Sequence, residues 1–288
     1  MPDWITQFPG EISINIKDII DNAIKYMVVN WGSFFNGLTA FLRVLLSGVG
    51  SVVNNIPWWL LILVVFLLIL RMRRKLLPAL LYAGLLFFIG AMGLWKLMNL
   101  TLTTVITAVI ISLLLGLPLG ILISRSKRLD SIVRPVLDTM QTMPSFVYLI
   151  PAVMLLGLGN VPAVIATTIY AVPPVVRLTS HGIRQVNSEI VEASKAFGAT
   201  YGQTLFKVLI PQALPTIMTG VNQTMMMAIS MVVTCSMIGA TGLGSEVITG
   251  INRLESGRGF SAGIAIVIIA IIMDRLTQGI FKKSGEKK

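Results

Sequence analysis

The chain has 288 residues, of which 55% are hydrophobic and only 12% are charged, and its mean hydropathy is +0.84. Soluble domains carry about 25% charged residues, so this composition excludes an ordinary soluble protein and indicates an all-α membrane protein. The net charge of +11 is accompanied by no aromatic-interleaved basic stripe or nucleic-acid-binding motif, so we predict no nucleic-acid partner. The single cysteine, Cys235, excludes a disulfide within the chain and any cysteine-built zinc site.

The first 56 residues carry two apolar stripes at helical spacing, with polar and charged residues between the apolar positions. One stripe covers residues 12–27 and the other covers residues 34–52. Such patterns are typical of amphipathic helices that lie in a membrane interface. Arg43, near the middle of the second stripe, is unfavourable beside lipid, although burial against protein would permit it. We therefore expect two amphipathic helices at the outer membrane surface in residues 1–56, with an additional span over residues 34–52 as the alternative.

Farther along the chain, apolar runs of the roughly 20 residues that a membrane-crossing helix needs recur several times. They predict seven spans, at about residues 53–70, 76–95, 101–124, 137–158, 162–178, 214–238 and 261–281. The first two spans would be accessory helices within residues 57–96. The remaining five would form the core of the protein within residues 97–281, followed by a basic tail at residues 282–288.

The basic residues are distributed unevenly between the two ends of these spans. Of the 23 lysines and arginines, one side would receive six: Lys17, Lys25, Arg43, Lys96, Arg253 and Arg258. The other 17 fall on the opposite side, and the side richer in basic residues is normally cytoplasmic. We therefore expect a multi-pass protein with its N-terminus outside and its C-terminus inside the cell.

Two glycines in the third predicted span lie one helical turn apart. Gly116 and Gly120 are separated by a segment that contains Pro118. Small residues at this spacing let two membrane helices approach closely, and an internal proline favours a kink. We therefore predict a close helix-packing face at these glycines. Prolines are also expected to bend or end the central helices, either in ordinary helix packing or along a translocation path, and they are Pro144, Pro151, Pro162, Pro173 and Pro174.

The chain lacks the residues that would let it catalyse a reaction or power transport by itself. It has no Gly-x-x-x-x-Gly-Lys-Ser/Thr phosphate loop, and His181 is its only histidine, which excludes the usual triads and multi-histidine metal sites. Inside the predicted spans only Asp274 is a candidate for an ion or proton pathway, and its neighbour Arg275 favours a local ion pair instead. We predict no catalytic residue, no metal site and no cofactor in this chain.

The longest polar interruption of the apolar pattern runs from Glu192 to Pro211. It begins with an acidic residue followed by small residues, turns at Gly198, and re-enters apolar sequence at the proline. Small side chains let a partner's backbone approach closely, and a glycine adopts the positive φ that ends a helix. We therefore predict a helix–turn–helix in the cytoplasmic loop of residues 179–211, where another protein contacts Glu192, Ala193, Ser194, Ala196, Phe197, Gly198, Ala199 and Pro211.

This loop resembles the EAA loop of bacterial ABC-importer permeases, because Glu192, Gly198 and Pro211 keep the spacing of that motif. The departures from the motif keep size or apolar character and are Ser194, Val208 and Ile210. From about residue 101 to 281 the chain is similar to the permeases for glycine betaine, proline betaine and related quaternary amines. The segments that carry this similarity are residues 143–151, 157–162, 173–179, 220–224 and 274–278.

The resemblance implies a type I ABC-importer permease core over residues 97–281, located in the bacterial cytoplasmic membrane. It also implies a permease homodimer, cytoplasmic ATPase subunits that bind ATP and Mg²⁺, and an extracellular or lipid-anchored solute-binding protein. The solute would be an osmoprotectant such as glycine betaine, selected mainly by the binding protein. The 192–211 segment would couple the permease to the ATPase.

Three consecutive polar side chains, Asn222, Gln223 and Thr224, lie in the sixth predicted span and need polar partners there. They would line the solute path or hydrogen-bond to a neighbouring helix, and both interpretations stay open. The alternative function for the whole chain is a secondary carrier or channel for small zwitterionic solutes, which would need coupling-ion ligands or pore charges in the spans. A membrane-embedded enzyme would need clustered His, Asp or Glu residues near the membrane face, and the sequence contains no such cluster.

Overall fold

The computed structural model of the protein describes residues 15–285, in which α-helices are connected by short loops and no strand occurs. This agrees with the predicted all-α fold. In chain order the helices are α1 (Ile16–Asn55), α2 (Trp58–Arg73), α3 (Leu76–Ala91), α4 (Trp95–Arg125), α5 (Lys127–Thr142), α6 (Leu149–Leu156), α7 (Asn160–Arg184), α8 (Ser188–Ala196), α9 (Tyr201–Thr204), α10 (Ile210–Ser236), α11 (Leu243–Asn252) and α12 (Ser256–Gly285). Five helices in this part of the chain are long and apolar enough to cross a membrane, or six if one bent pair is counted as a span.

The N-terminal helix α1 consists of two helical segments that meet in a kink at Trp31, whose backbone is not helical (φ −117°, ψ 15°). The kink lies between the two predicted stripes. The start of the first predicted stripe, before residue 15, lies outside the described residues. The second half of α1 packs on the core, because Leu42 is buried against Ala108 of α4 and Val164 of α7. Arg43 is exposed. Helix α1 is itself long and apolar enough to span a membrane, so its position at the outer surface stays a prediction.

Helices α2 and α3 form a hairpin in place of the first two predicted spans, 53–70 and 76–95. Each helix has 16 residues, which corresponds to a length of about 24 Å, shorter than the roughly 30 Å hydrocarbon core of a bilayer. The C-terminal half of α2 packs against α12. Met72 of α2 lies so close to Gly279 of α12 that a Cβ added to this glycine would be 1.3 Å from Cε of Met72. The basic residues that follow α2 therefore lie at the same end of the molecule as the C-terminal part of α12.

The predicted span over residues 137–158 is not one straight helix, because the chain bends by 107° between α5 and the segment 145–156. The bend lies next to Pro144, one of the prolines that were predicted to bend or end the central helices. The break lies at Met143, whose backbone is extended (φ −66°, ψ 135°). Pro144 causes this conformation, since a proline disfavours the helical region for the residue before it. Helix α5 is amphipathic, and its charged face is directed toward α7.

Helices α4, α7 and α10 form the centre of the bundle, and α4 approaches α7 at the two predicted glycines. A Cβ added to Gly116 would lie 2.4 Å from Cγ1 of Val175, and one added to Gly120 would lie 2.8 Å from the carbonyl oxygen of Val176. The predicted close-packing face is therefore confirmed. Helix α4 stays continuous across Pro118 over its 31 residues.

The loop between α10 and α11 is tied to the N-terminal ends of α4 and α7. The backbone N–H of Leu243 donates to Oγ1 of Thr101 at 2.8 Å. The side chain of Asn160 accepts from the N–H of Thr241 at 2.8 Å and donates to its hydroxyl at 3.0 Å. The 27-residue helix α10 separates this loop from α8 and α9. The α10–α11 loop and the segment that contains α8 and α9 therefore lie at opposite ends of the bundle.

Candidate functional site

Helix α8 starts and ends within the predicted contact loop, with caps at both ends. The side chain of Asn187 accepts from the N–H of Glu189 at 2.9 Å and caps the N-terminus. At the C-terminus the N–H of Ala199 donates to the carbonyl of Ser194 at 3.1 Å, and the N–H of Gly198 donates to that of Lys195 at 2.9 Å. These two bonds form a Schellman motif, which requires a left-handed residue. Gly198 is that residue, with φ of +77°, so the predicted turn is confirmed.

The second arm of the loop begins at Thr200, which caps α9. Its hydroxyl accepts from the N–H of Gln203 at 3.4 Å, while the side-chain oxygen of Gln203 accepts from the N–H of Thr200 at 2.8 Å. This reciprocal pair is a capping box, and its Thr-x-x-Gln signal is present in the sequence although the sequence analysis did not use it. The hydroxyls of Ser194 and Thr204 lie 3.1 Å apart and connect the two arms.

Most of the predicted contact residues lie together on this loop, and no residue of α8 is buried. Phe197 is 92% exposed and Phe206 is 68% exposed. Large exposed apolar groups are typical of surfaces that contact another protein or a membrane, so contact with a partner at this loop stays a prediction. Pro211 lies apart from the turn, in the first turn of α10, which continues directly from a π-helical segment at Leu205–Leu209.

The three polar residues of the sixth predicted span point in different directions from α10 and do not form one patch. The amide of Asn222 donates to Oδ1 of Asp274 in α12 at 2.8 Å. The hydroxyl of Thr224 is fully buried and donates to the carbonyl of Ala171 in α7 at 2.9 Å. Gln223 is exposed. Helix–helix hydrogen bonding therefore accounts for the side-chain nitrogen of Asn222 and the hydroxyl of Thr224, whereas the buried Oδ1 of Asn222 has no partner among the described residues.

Asp274 is held by more than the predicted local ion pair. Its contact with Nε of Arg275 is 3.8 Å long, whereas the amides of Asn222 and Gln278 donate to its Oδ1 at 2.8 Å and 2.6 Å. Burying a carboxylate is unfavourable unless hydrogen bonds satisfy it. Asp274 therefore acts as a hydrogen-bond acceptor that joins α12 to α10. Among the described residues, no group of three or more His, Cys, Asp or Glu side chains could hold a metal ion.

A junction centred on Arg184, the last residue of α7, was not predicted from the sequence. Its guanidinium donates to Oδ2 of Asp130 at 2.8 Å and to three backbone carbonyls at the end of α4, namely those of Ile123 at 2.6 Å, Ser124 at 3.3 Å and Ser126 at 3.3 Å. The guanidinium of Arg125 lies 4.0 Å from the ring centre of Tyr201, in the contact loop. Charge alone marked these arginines in the sequence, and their partners lie too far along the chain to be paired by spacing.

Comparison with known proteins shows which family the chain belongs to. Residues 112–284 match the family described as binding-protein-dependent transport system inner membrane component. The glycine betaine transport system permease protein OpuAB of Bacillus subtilis (strain 168) is 43% identical over 286 residues, which cover 95% of this chain and 97% of that relative. The glycine betaine/carnitine transport permease protein GbuB of Listeria monocytogenes serotype 1/2a (strain 10403S) is 48% identical over 283 residues, with coverage of 96% and 99%.

Another relative is longer than this chain. The glycine betaine/proline betaine transport system permease protein ProW of Escherichia coli (strain K12) is 54% identical over 202 residues, which are 70% of this chain and 57% of that protein. A solved structure of the MetNI methionine ABC transporter in inward facing conformations (CY5 native crystal form) superposes with a TM-score of 0.59 at 21% identity, over 69% of this chain and 97% of the other. That likeness shows a shared fold. The family match and these relatives together show that the chain belongs to the inner membrane components of binding-protein-dependent transport systems.

Proposed function

We propose that this chain is the membrane-spanning permease subunit of an ATP-driven importer whose solute is glycine betaine or a related quaternary amine. The observation that carries the proposal is the capped helix–turn–helix around Gly198, which presents exposed aromatic and small residues to a partner. The relatives named for glycine betaine transport support the class of solute. In the described part of α12 the one acidic side chain, Asp274, is used in helix packing. A solute with no net charge, such as a zwitterion, is compatible with that arrangement.

The partners follow from the same proposal. A cytoplasmic ATPase, which binds ATP and Mg²⁺, would dock on the loop that contains Phe197 and Gly198. An extracellular or lipid-anchored binding protein would deliver the solute at the opposite end, where the N-termini of α4 and α7 meet the loop before α11. Two copies of the permease would form the path between them, as the resemblance to type I importers implies.

The test is reconstitution of the chain in liposomes with its candidate ATPase and binding protein. Uptake of labelled glycine betaine should require internal ATP and the loaded binding protein, and competition by carnitine, choline and proline betaine would identify the preferred solute. Uptake that proceeds without the ATPase and responds to an imposed ion gradient would contradict the proposal and support a secondary carrier.

Orientation in the membrane gives a separate prediction. The 17 basic residues on one side predict that the N-terminus lies outside and the C-terminus inside. In a Cys235→Ser background, a cysteine at Ser13 should react with an impermeant thiol reagent in intact, wall-stripped cells, and a cysteine at Ser284 should not. Equal labelling at both positions would contradict this topology and favour an additional span in the N-terminal region.

The solute path is proposed to run near residues 222–224, and the geometry singles out Gln223 for the test. Gln223→Leu should lower solute uptake per assembled complex, because a dipolar solute needs weak, exchangeable hydrogen-bond partners along its path. Asn222→Leu is the matched control, since it removes the bond to Asp274 and should reduce assembly or thermal stability instead. Unchanged uptake per assembled complex in Gln223→Leu would remove this residue from the path.

A further inference from the structure

The end of α7 is joined to the elbow between α4 and α5 by a single side chain. Ser126 is the one residue between these two helices, and Arg184 binds on both sides of it. Its guanidinium donates to carbonyls in the last turn of α4 and to Asp130 in the first turn of α5. Carbonyls at this position lack a donor four residues later within the helix, and that of Ile123 has only the N–H of Ser126 at 3.3 Å besides Arg184. The positive charge is also favourable at the C-terminal end of a helix dipole. Arg184 therefore fixes the relative position of three helix ends.

The same elbow is connected to the contact loop. Arg184 lies three residues before Asn187, the N-cap of α8. On the elbow itself, Arg125 places its guanidinium 4.0 Å from the ring centre of Tyr201, the first residue of α9. A guanidinium over an aromatic face is attracted by the ring electrons. Both arms of the contact loop are thus tied to the elbow through arginines.

Beyond the elbow, α5 is held less firmly against α7. A cavity of about 530 Å³ lies between them, lined mainly by charged and polar side chains. A small apolar cluster, with Leu137 packed near Val176, and an ion pair between Asp138 and Arg177 cross this space. The side chains of that pair are 54% and 35% exposed, and exposed ion pairs contribute little stability. The ion pair therefore adds little resistance to a change in the angle of α5 to α7, and the apolar cluster around Leu137 is the main contact that such a change would disturb.

We propose that Arg184 is the positioning residue that transmits movement of the ATPase-contact loop to the bent helix pair α5–α6. This inference rests on the proposed function. A displacement of α8 and α9 by the ATPase would move the elbow through Arg184, and α5 would turn across the cavity with the elbow as its pivot. The break at Met143 and Pro144 then passes the change in angle to α6 on the other side of the bend.

Arginine is needed for this role because of its donor geometry. Its planar guanidinium presents five N–H groups in a fixed arrangement, whereas lysine presents a compact ammonium group. Four acceptors surround the guanidinium of Arg184, and they belong to Ile123, Ser124, Ser126 and Asp130. A lysine would keep the charge but could not reach the acceptors of both helices at once. Arg184→Lys should therefore behave more like Arg184→Gln than like the unmodified protein.

The test compares Arg184→Gln with Arg134→Gln in the reconstituted transporter. Arg134 binds the same carboxylate, Asp130, at 3.0 Å, but its side chain is 65% exposed and it belongs to α5 itself. For Arg184→Gln we expect normal ATPase content, continued ATP hydrolysis, and about tenfold less solute transported per ATP, within the range usual for coupling between sites. Arg134→Gln should leave this ratio close to that of the unmodified protein.

Each outcome bears on the proposal. An unchanged ratio in Arg184→Gln, or an equal fall in both variants, would overturn it. If Arg184→Gln fails to assemble, Asp130→Asn is measured instead, because it removes the charged acceptor on α5 and leaves the carbonyl bonds of Arg184 in place; a normal ratio in that variant would also overturn the proposal. Absence of ATP-dependent uptake by the unmodified complex would instead contradict the proposed function, so the two failures are distinguishable.

Discussion

Gly198→Leu is expected to reduce ATP-driven uptake at least about tenfold, because it weakens attachment of the ATPase. A change of this size corresponds to a coupling free energy of a few kcal/mol. The backbone at Gly198 has φ of +77°, and no atom lies within 4 Å of the position where a Cβ would be. A leucine there meets no steric clash within the chain, but it strains the left-handed turn by about 1–2 kcal/mol and projects into the space that a docked partner would occupy. The measurement is the ATPase content of purified complexes together with uptake per complex.

Two further variants separate backbone strain from loss of docking. Gly93 also has a left-handed backbone, with φ of +74° and no atom within 4 Å, but it lies in the turn between α3 and α4. Gly93→Leu should show a similar loss of stability with normal ATPase content. Asparagine tolerates the left-handed conformation better than leucine does, but it still adds a side chain. Gly198→Asn should therefore also weaken docking of the ATPase. Normal ATPase content and normal uptake in Gly198→Leu would refute the assignment of this loop.

The contact loop could be predicted from the sequence because its information is local. Small residues followed by a glycine determine where α8 ends and how the chain turns, whereas the next helix begins after its cap Thr200 and not at Pro211. The long apolar spans of α4, α7, α10 and α12 are predictable for a similar reason, since hydropathy over about 20 residues reports on membrane insertion. The close approach of α4 and α7 also followed from two glycines one turn apart.

The contacts between distant parts of the chain could not be predicted in this way. Arg184 and Asp130 are 54 positions apart, and Asn222 and Asp274 are 52 positions apart. Helical periodicity places a residue on one face of its own helix, but it does not say which helix packs against that face. The sequence therefore indicated that Asn222 needs a partner without identifying that partner. For the same reason it marked Arg184 only as one basic residue of a cytoplasmic loop.

The bend between α5 and α6 was indicated in part by the sequence. Pro144 was among the prolines predicted to bend or end the central helices, because a proline restricts the residue before it to an extended backbone. The bend angle of 107° was not predicted. It depends on how α5 packs, and Arg184, the ion-pair partner of Asp130 in α5, lies 54 positions from it along the chain.

The largest effect on stability is expected at Gly120, where α4 and α7 pack backbone against backbone. A Cβ at this position would lie 2.6 Å from Cβ of Thr179 and 2.8 Å from the carbonyl oxygen of Val176. Neither atom is the end of a flexible side chain, so the two helices would have to separate. Overpacking a well-filled core costs about 1–3 kcal/mol and occasionally more, so Gly120→Ala should lower the melting temperature and Gly120→Leu should prevent accumulation of folded protein.

Gly84→Leu is the matched control, because Gly84 also lies inside an apolar helix but has no atom within 4 Å of its Cβ position. It should leave the melting temperature unchanged or raise it, since leucine has a higher helix propensity than glycine by up to about 1 kcal/mol. The measurement is thermal unfolding of detergent-purified protein, with the yield of folded material as a second readout. Equal stability of Gly120→Ala and the unmodified protein would show that α4 and α7 do not pack through this glycine. If stability falls in Gly120→Ala and Gly120→Leu but not in Gly84→Leu, the loss of stability is due to the α4–α7 contact. The reason is that Gly84→Leu adds the larger side chain to a helix without such a contact.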